Sequence, residues 1–312
     1  MTGTGSETRH IWQKPLALQL LLISMILGTG IILLLLTSMT GRFLFNISPG
    51  EMNQIGEGVF TENQAGYLRF VQVTQDLFIF LVPALLITRY VTAMNGKHGY
   101  SKAFPGIRII SAVIVLAILV LPLVAYVAKL NMQIVSGGFF PGIYKKIIAV
   151  EREASSISSV LMTSSGIPGL MLCVFIVALL PSLSEELFFR GFLQRFLVNN
   201  VQSAHLSVWI AAFVFSFIHF QFLGFLPRML LGLIFGYLFL WSGNIWLPVI
   251  AHFCNNLVPV VSLYGKNSNE IITIMNNHEP TGMQFPVVGI ILISLILFMI
   301  RRYYDLPDTG SD

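Results

Sequence analysis

Side chains that could act as a general base or stabilise an oxyanion are concentrated in three short motifs of an otherwise apolar sequence. The motifs are, in chain order, Glu185-Glu186-x-x-x-Arg190, Phe215-x-x-x-His219 and His252-x-x-x-Asn256. An ionisable group within a membrane helix costs at least about 2.5–3.5 kcal/mol, so the groups that a membrane chain retains are candidates for function. Glutamate and histidine are the residues most often used for acid–base chemistry.

The two adjacent glutamates are expected to differ in their partners. Residues four apart share a face of a helix, so Glu186 and Arg190 should form an ion pair with the acid in the favourable first position. Glu185 then points elsewhere without a cation on its own helix, and this carboxyl group is the predicted general base. The structural alternative is that both acids pair with Arg190 and join helices, but the convergence of three motifs favours catalysis.

The histidines supply the remaining polar groups. His252 and Asn256 are also four apart, so both are predicted to point from one helix face toward one oxygen and to stabilise an oxyanion. His219 is predicted to lie beside Glu185, where it would orient an attacking water or share its proton. Taken singly, each histidine has a structural interpretation as a donor to a backbone carbonyl.

The composition predicts the environment in which these motifs lie. The chain has 312 residues, of which 55% are hydrophobic and 10% are charged, against about 25% charged in soluble domains. Its mean hydropathy is +0.79. These values predict an all-α, polytopic integral membrane protein, a bundle with an intramembrane polar cavity. About eight transmembrane helices are predicted, at 15–38, 67–90, 107–129, 166–189, 203–220, 225–241, 245–263 and 285–302.

The charges indicate an orientation and exclude one class of partner. The net charge is +4, but lysine and arginine lie mainly between the apolar runs and form no basic stripe, which argues against nucleic acid as a partner. Their distribution predicts a plasma (inner) membrane protein with both termini cytoplasmic. The residues on the predicted inner side are Arg9, Lys14, Arg89, Lys97, Lys102, Arg108, Arg190, Arg195, Arg301 and Arg302.

Other polar or small residues receive structural interpretations. Asp76 is the only acid in the second apolar run and is expected to cap a partner helix rather than contact substrate. The mixed sequence at 144–153 is typical of a short interfacial helix. Gly232-x-x-x-Gly236 predicts close helix packing within the chain rather than dimerisation. Cys173 and Cys254 lie in apolar runs without CxxC spacing and are expected to be core residues.

Together the three motifs resemble the signature of the CPBP intramembrane peptidase family, which includes CAAX prenyl endopeptidases, Abi-like proteins and bacteriocin-processing or immunity proteins. The resemblance covers residues 166–263 and implies a catalytic core there, in an eight-helix fold whose cavity opens toward the cytoplasm and membrane. Residues 1–165 would contribute N-terminal helices and long connections without a recognised motif. Residues 264–312 would contain the last connection, the final transmembrane helix and the C-terminal tail.

The resemblance implies two possible site chemistries. In the glutamate-dependent version, Glu185 and His219 activate water, and His252 and Asn256 form the oxyanion hole. In the metal-dependent version, Glu185, His219 and His252 surround a divalent metal such as zinc. The first version is favoured because asparagine is a poor zinc ligand and no HExxH motif is present.

The remaining motif residues carry over from the family as support. Glu186 and Arg190 would be structural, and Phe215 would pack beside His219.

The expected function is therefore an intramembrane endopeptidase that needs no cofactor and acts on a membrane-associated or lipidated protein or peptide. Two alternatives stay open, a non-catalytic membrane scaffold or immunity protein of the same family and a proton-coupled transporter. The transporter is disfavoured because the sequence has no internal repeat. A serine nucleophile is not indicated, since no G-x-S-x-G motif is present and Ser184 has no evident base.

Overall fold

The computed structural model describes residues 16–48, 50–51, 60–95, 103–137, 141–163, 165–266 and 284–305. The regular elements within these ranges are helices, which confirms the predicted all-α fold. Nine helices are described there: α1 Leu16–Leu44, α2 Glu62–Asn95, α3 Ile107–Ser136, α4 Pro141–Met162, α5 Gly166–Val201, α6 Ala204–Phe217, α7 Phe225–Ser242, α8 Trp246–Ser262 and α9 Gln284–Asp305.

Several of these helices are long and apolar enough to cross a lipid bilayer. Five such spans lie in the described part of the chain, in α1, α2, α3, α5 and the helix that contains α7. The apolar helices α6 and α8 have 14 and 17 residues, fewer than the roughly 20 that a span needs. The chain is thus a multi-pass membrane protein, and the predicted number of eight spans is not confirmed.

Two predicted elements differ from the structure in length. The apolar run at 166–189 was expected to end near Arg190, but α5 continues to Val201 because neighbouring helices accept the side chains of Arg190 and Gln194. The predicted short interfacial helix is a 22-residue helix, α4, instead. Its acid Glu151 accepts a hydrogen bond from the backbone N–H of Leu223, 2.8 Å away.

The main apolar core joins α3, α7, α8 and α9. Four of its side chains are fully buried: Val113, Leu116, Leu238 and Leu247. Large apolar side chains on the outer faces of the helices are exposed, as expected for a surface that lipid covers. Burial therefore depends on which helices meet, since apolar residues occur on all faces.

The orientation in the membrane remains a prediction. Four of the basic residues from which it was derived, Arg9, Lys14, Lys97 and Lys102, lie outside the described residues.

Glycines on α7 allow a close approach to α6. A Cβ atom at Gly232 would lie 3.1 Å from the Cα of Ala212, and one at Gly236 would lie 2.8 Å from Cγ1 of Val208. The small-residue face therefore packs within the chain, as predicted from its spacing.

Gly236→Leu is expected to destabilise the protein by about 1–3 kcal/mol, the usual effect of overpacking. The added side chain would collide with Val208, and its Cβ atom would lie 3.1 Å from Oε1 of Gln194. Thermal unfolding in detergent measures the effect. Gly28→Leu is the matched control because Gly28, on α1, has open space around the added Cβ. Equal stability of the two variants would contradict the packing argument.

Candidate active site

The first motif lies on α5 between two wide helical turns. Glu185 and Glu186 end the α-helical segment Leu180–Glu186, and π-helical segments precede it at Val174–Leu179 and follow it at Leu187–Gln194. Glu186 is fully buried and Glu185 is 8% exposed. Such π-helical turns occur frequently at functional sites.

A buried polar network joins α5, α7 and α8 through Glu186. Its Oε1 atom lies 2.9 Å from Nη1 of Arg190 and 2.8 Å from Nδ1 of His252. Arg190 also donates from Nη2 to the carbonyl of Gly232, 3.0 Å away. The expected Glu186–Arg190 ion pair is therefore present, and Glu186 has a second function that its spacing did not indicate, as the partner of His252.

Phenylalanine rings surround this network. The guanidinium carbon of Arg190 lies 4.9 Å from the ring centre of Phe215 and 5.5 Å from that of Phe235. The Phe215 ring is in edge contact with His219 and His252, at centroid separations of 5.3 and 5.8 Å. Phe215 thus packs beside His219, as predicted, and touches residues of all three motifs.

Hydrogen bonds fix which nitrogen of each histidine carries the proton. Nδ1 of His219 lies 2.7 Å from the carbonyl oxygen of Phe215, and a carbonyl can only accept, so this nitrogen donates. Nδ1 of His252 likewise donates to the carboxylate of Glu186. In the neutral form of either ring, Nε2 keeps a lone pair and can accept a proton.

Glu185 makes no side-chain hydrogen bond to any residue that the structure describes. Its Oε2 atom is buried and makes no hydrogen bond, and the charges of Asp76, Glu186, Arg190 and Arg228 act on it.

The other predicted site residues make different contacts. In the described part of the chain, no direct hydrogen bond joins Glu185 to His219, His252 or Asn256. His219 interacts electrostatically with His252. Asn256 lies one turn beyond His252 on α8, with its Oδ1 atom 3.4 Å from Nδ2 of Asn255.

The set proposed for a metal does not have the arrangement of a metal site. Among the described residues, no three histidine, cysteine, aspartate or glutamate side chains are grouped so that they could hold an ion. Glu185, His219 and His252 are thus not grouped as three ligands of one ion in this structure.

Hydrogen bonds from residues outside the three motifs hold the turn that follows His219. Asn131, on α3, donates from Nδ2 to the carbonyls of Phe222 and Leu223, both 2.7 Å away. Arg228, on α7, donates to Oε1 of Gln221 at 2.7 Å. Arg228 is a charge within an apolar run, a signal that could have identified it from the sequence.

A separate cavity lies far from these groups. It has a volume of about 570 Å³ and is lined by the ends of α2, α4 and α5, with Arg69 as its basic residue. Leu172, which lines it, precedes Glu185 by 13 residues, about 20 Å along a helix at 1.5 Å per residue. The cavity is thus not part of the Glu185 site.

Comparison with known proteins assigns the segment that contains all three motifs. Residues 167–258 match the model of the Rce1-like family, described as type II CAAX prenyl endopeptidase. The family resemblance is confirmed for this segment. The Rce1-like segment begins in α5 and ends in α8, so it includes Glu185, His219, His252 and Asn256 but neither Asp76 nor Asn131.

One curated relative overlaps part of the chain. The uncharacterized protein YpbD of Bacillus subtilis (strain 168) is 30% identical over 84 residues, which are 26% of this chain and 40% of YpbD. The chain therefore matches less than half the length of that relative. No solved structure matches the chain.

Proposed function

We propose that this protein is an intramembrane endopeptidase that hydrolyses a peptide bond with a water activated by Glu185 and His219. The observation that carries the proposal is the buried Glu185 carboxyl group, which has an unbonded oxygen, beside a network that already uses Glu186, Arg190 and His252. A buried carboxyl group without a bonding partner is costly in a purely structural role. The Rce1-like match over the same residues supports a peptidase.

The proposed reaction begins with proton transfer from water to Glu185. The water oxygen forms a bond to the carbonyl carbon of the peptide, and the carbonyl oxygen becomes an oxyanion. Nε2 of His219, whose Nδ1 is already held by the carbonyl of Phe215, then accepts a hydrogen bond from the protonated carboxyl group of Glu185. When the C–N bond breaks, Glu185 returns the proton to the leaving nitrogen, which regenerates the carboxylate.

His252 and Asn256 are the proposed oxyanion donors. Because Nδ1 of His252 donates to Glu186, its Nε2 atom can donate to an oxyanion only when the ring is a cation. The carboxylate of Glu186 supplies the opposite charge for that form, and it accepts from Arg190 as well. The amide group of Asn256 would provide the second donor.

The proposed substrate is a membrane-associated or lipidated peptide. The bilayer around the helices concentrates such chains, and the outer surfaces of the helices are apolar. The description of the matching family as a prenyl endopeptidase makes a farnesylated cysteine peptide the first probe.

The test compares two histidine variants in liposomes. His219→Ala is expected to cleave a fluorogenic peptide, with a farnesylated cysteine followed by three residues, at least about 100-fold more slowly than the wild type. His205→Ala is the matched control because His205 is exposed and contacts Tyr237, outside the site. Cleavage by His219→Ala at the wild-type rate would contradict the proposed mechanism, and an unprenylated copy of the peptide tests the substrate class.

A further inference from the structure

A second buried acid faces the site from a helix outside the Rce1-like segment. Asp76 is fully buried and begins the π-helical segment Asp76–Leu81 of α2. This segment packs against Leu180–Glu186 of α5, the turn that carries Glu185. Phe80 fixes the contact, since its ring centre lies 5.5 Å from that of Phe188. The expectation that Asp76 caps a partner helix is wrong for the residues that the structure describes, since the one hydrogen bond its side chain makes to them comes from Gln72 of the same helix.

The carboxyl group of Asp76 is only partly satisfied. Its Oδ2 atom accepts a hydrogen bond from Nε2 of Gln72 at 3.2 Å, whereas Oδ1 is buried and unbonded. Glu185 has the same feature at Oε2. An ionised carboxyl group can only accept, and a water placed between two such groups has one O–H for each unbonded oxygen.

The segments that carry the two carboxyl groups pack together, and each carboxyl group has one buried oxygen without a hydrogen bond. The charges of Asp76 and Glu185 repel each other. Arg190 donates to Glu186 and Arg228 donates to Gln221. In the described part of the chain, neither guanidinium group donates a hydrogen bond to Asp76 or Glu185.

We infer that Asp76 is a second carboxyl group of the hydrolytic site and that Asp76 and Glu185 together hold the attacking water. One O–H of the water donates to each carboxylate, so a single small donor satisfies both unbonded oxygens. The proton donated to Glu185 is the one removed as the oxygen attacks. The other stays on the oxygen and keeps its bond to Asp76, which directs the lone pair at the peptide carbon. This inference rests on the proposed function.

A double-mutant cycle tests the pairing. The variants are Asp76→Asn, Glu185→Gln and the double variant, each measured for thermal unfolding in detergent and for kcat on the farnesylated peptide. Asp76→Asn is expected to lower kcat by about 100-fold, the effect of a misplaced reacting group, with KM unchanged. In the Glu185→Gln background, Asp76→Asn should cause no further loss of kcat. The Tm shift of the double variant should differ from the sum of the Tm shifts of the two single variants.

Thr74→Val provides the matched control. Thr74 is also buried on α2, but its hydroxyl donates to the carbonyl of Val71 in its own helix, so its effects should add to those of Glu185→Gln. The inference would be overturned if Asp76→Asn kept the wild-type kcat and the Tm shifts were additive. The proposed function would still stand in that case if Glu185→Gln were inactive. Wild-type cleavage by Glu185→Gln would instead overturn the proposed function, and the unfolding cycle would still decide whether the two acids share a donor.

Discussion

Glu185→Gln is expected to lower kcat by about 10²–10⁴-fold, the usual contribution of a general base. Glutamine keeps the shape of the side chain but cannot accept the proton of the attacking water. The fold should survive, because the buried Oε2 atom of Glu185 makes no hydrogen bond that the substitution would break. The measurement is single-turnover cleavage of the farnesylated peptide by purified protein, with thermal unfolding as the check on folding.

Glu153→Gln is the control for loss of a negative charge. Glu153 is an exposed glutamate on α4, and its variant should cleave at the wild-type rate. If Glu185→Gln also cleaved at that rate, or preserved the cellular phenotype of the wild type, the non-catalytic scaffold would be the better interpretation.

Arg190→Met is expected to cost about 3–5 kcal/mol of stability, the effect of leaving one member of a buried ion pair without its partner. Both members are almost completely buried, and the N–O separation is 2.9 Å. Methionine would also lose the hydrogen bond to Gly232 and the contact with the Phe215 ring. Reversible unfolding in mixed detergent micelles measures the loss.

Two comparisons make this result specific. Glu186→Gln combined with Arg190→Met should be less damaging than Arg190→Met alone, because no unpaired carboxylate remains. Arg301→Met removes a pair of the same i,i+4 spacing, but Arg301 and Asp305 are about half exposed and 3.4 Å apart. That variant should lose no more than about 1 kcal/mol. Equal losses from the two arginine variants would contradict the role of burial.

Helical spacing predicted the contacts made within one element. Residues four apart on α5 gave the Glu186–Arg190 pair, and the absence of a cation on its own face singled out Glu185. The bond between Glu186 and His252 was not predictable in the same way, because it joins residues 66 positions apart and depends on how α5 and α8 cross. The sequence therefore predicted the partner of Glu186 on its own helix but not its partner on α8.

Apolar runs predicted where helices lie better than where they end. Hydropathy placed the starts of α3 and α7 at the observed residues, Ile107 and Phe225. It ended α5 too early because it treated Arg190 as a boundary, whereas Glu186 and the carbonyl of Gly232 satisfy that side chain within the bundle. A charge marks a helix end only when no partner is available inside.

Asp76 shows a different limit. Its type and apolar setting were visible in the sequence, but only the packing of α2 against α5 brings its segment to the one that carries Glu185. No spacing rule connects residues on two helices that are more than 100 positions apart.

The wide turns of α5 affect the direction in which the side chains of Glu185 and Glu186 point. Each π-helical hydrogen bond spans five residues instead of four, so the turn accommodates one residue more than an α-helical turn would. Deleting one residue from Val174–Leu179 would restore regular helix and leave the rest of α5 at nearly the same angle, because the wide turn holds its extra residue within one turn. Deleting one residue from the regular helix Gly166–Cys173 would instead rotate everything after it by about 100°. Glu185 would then point in another direction with every amino acid of its motif intact.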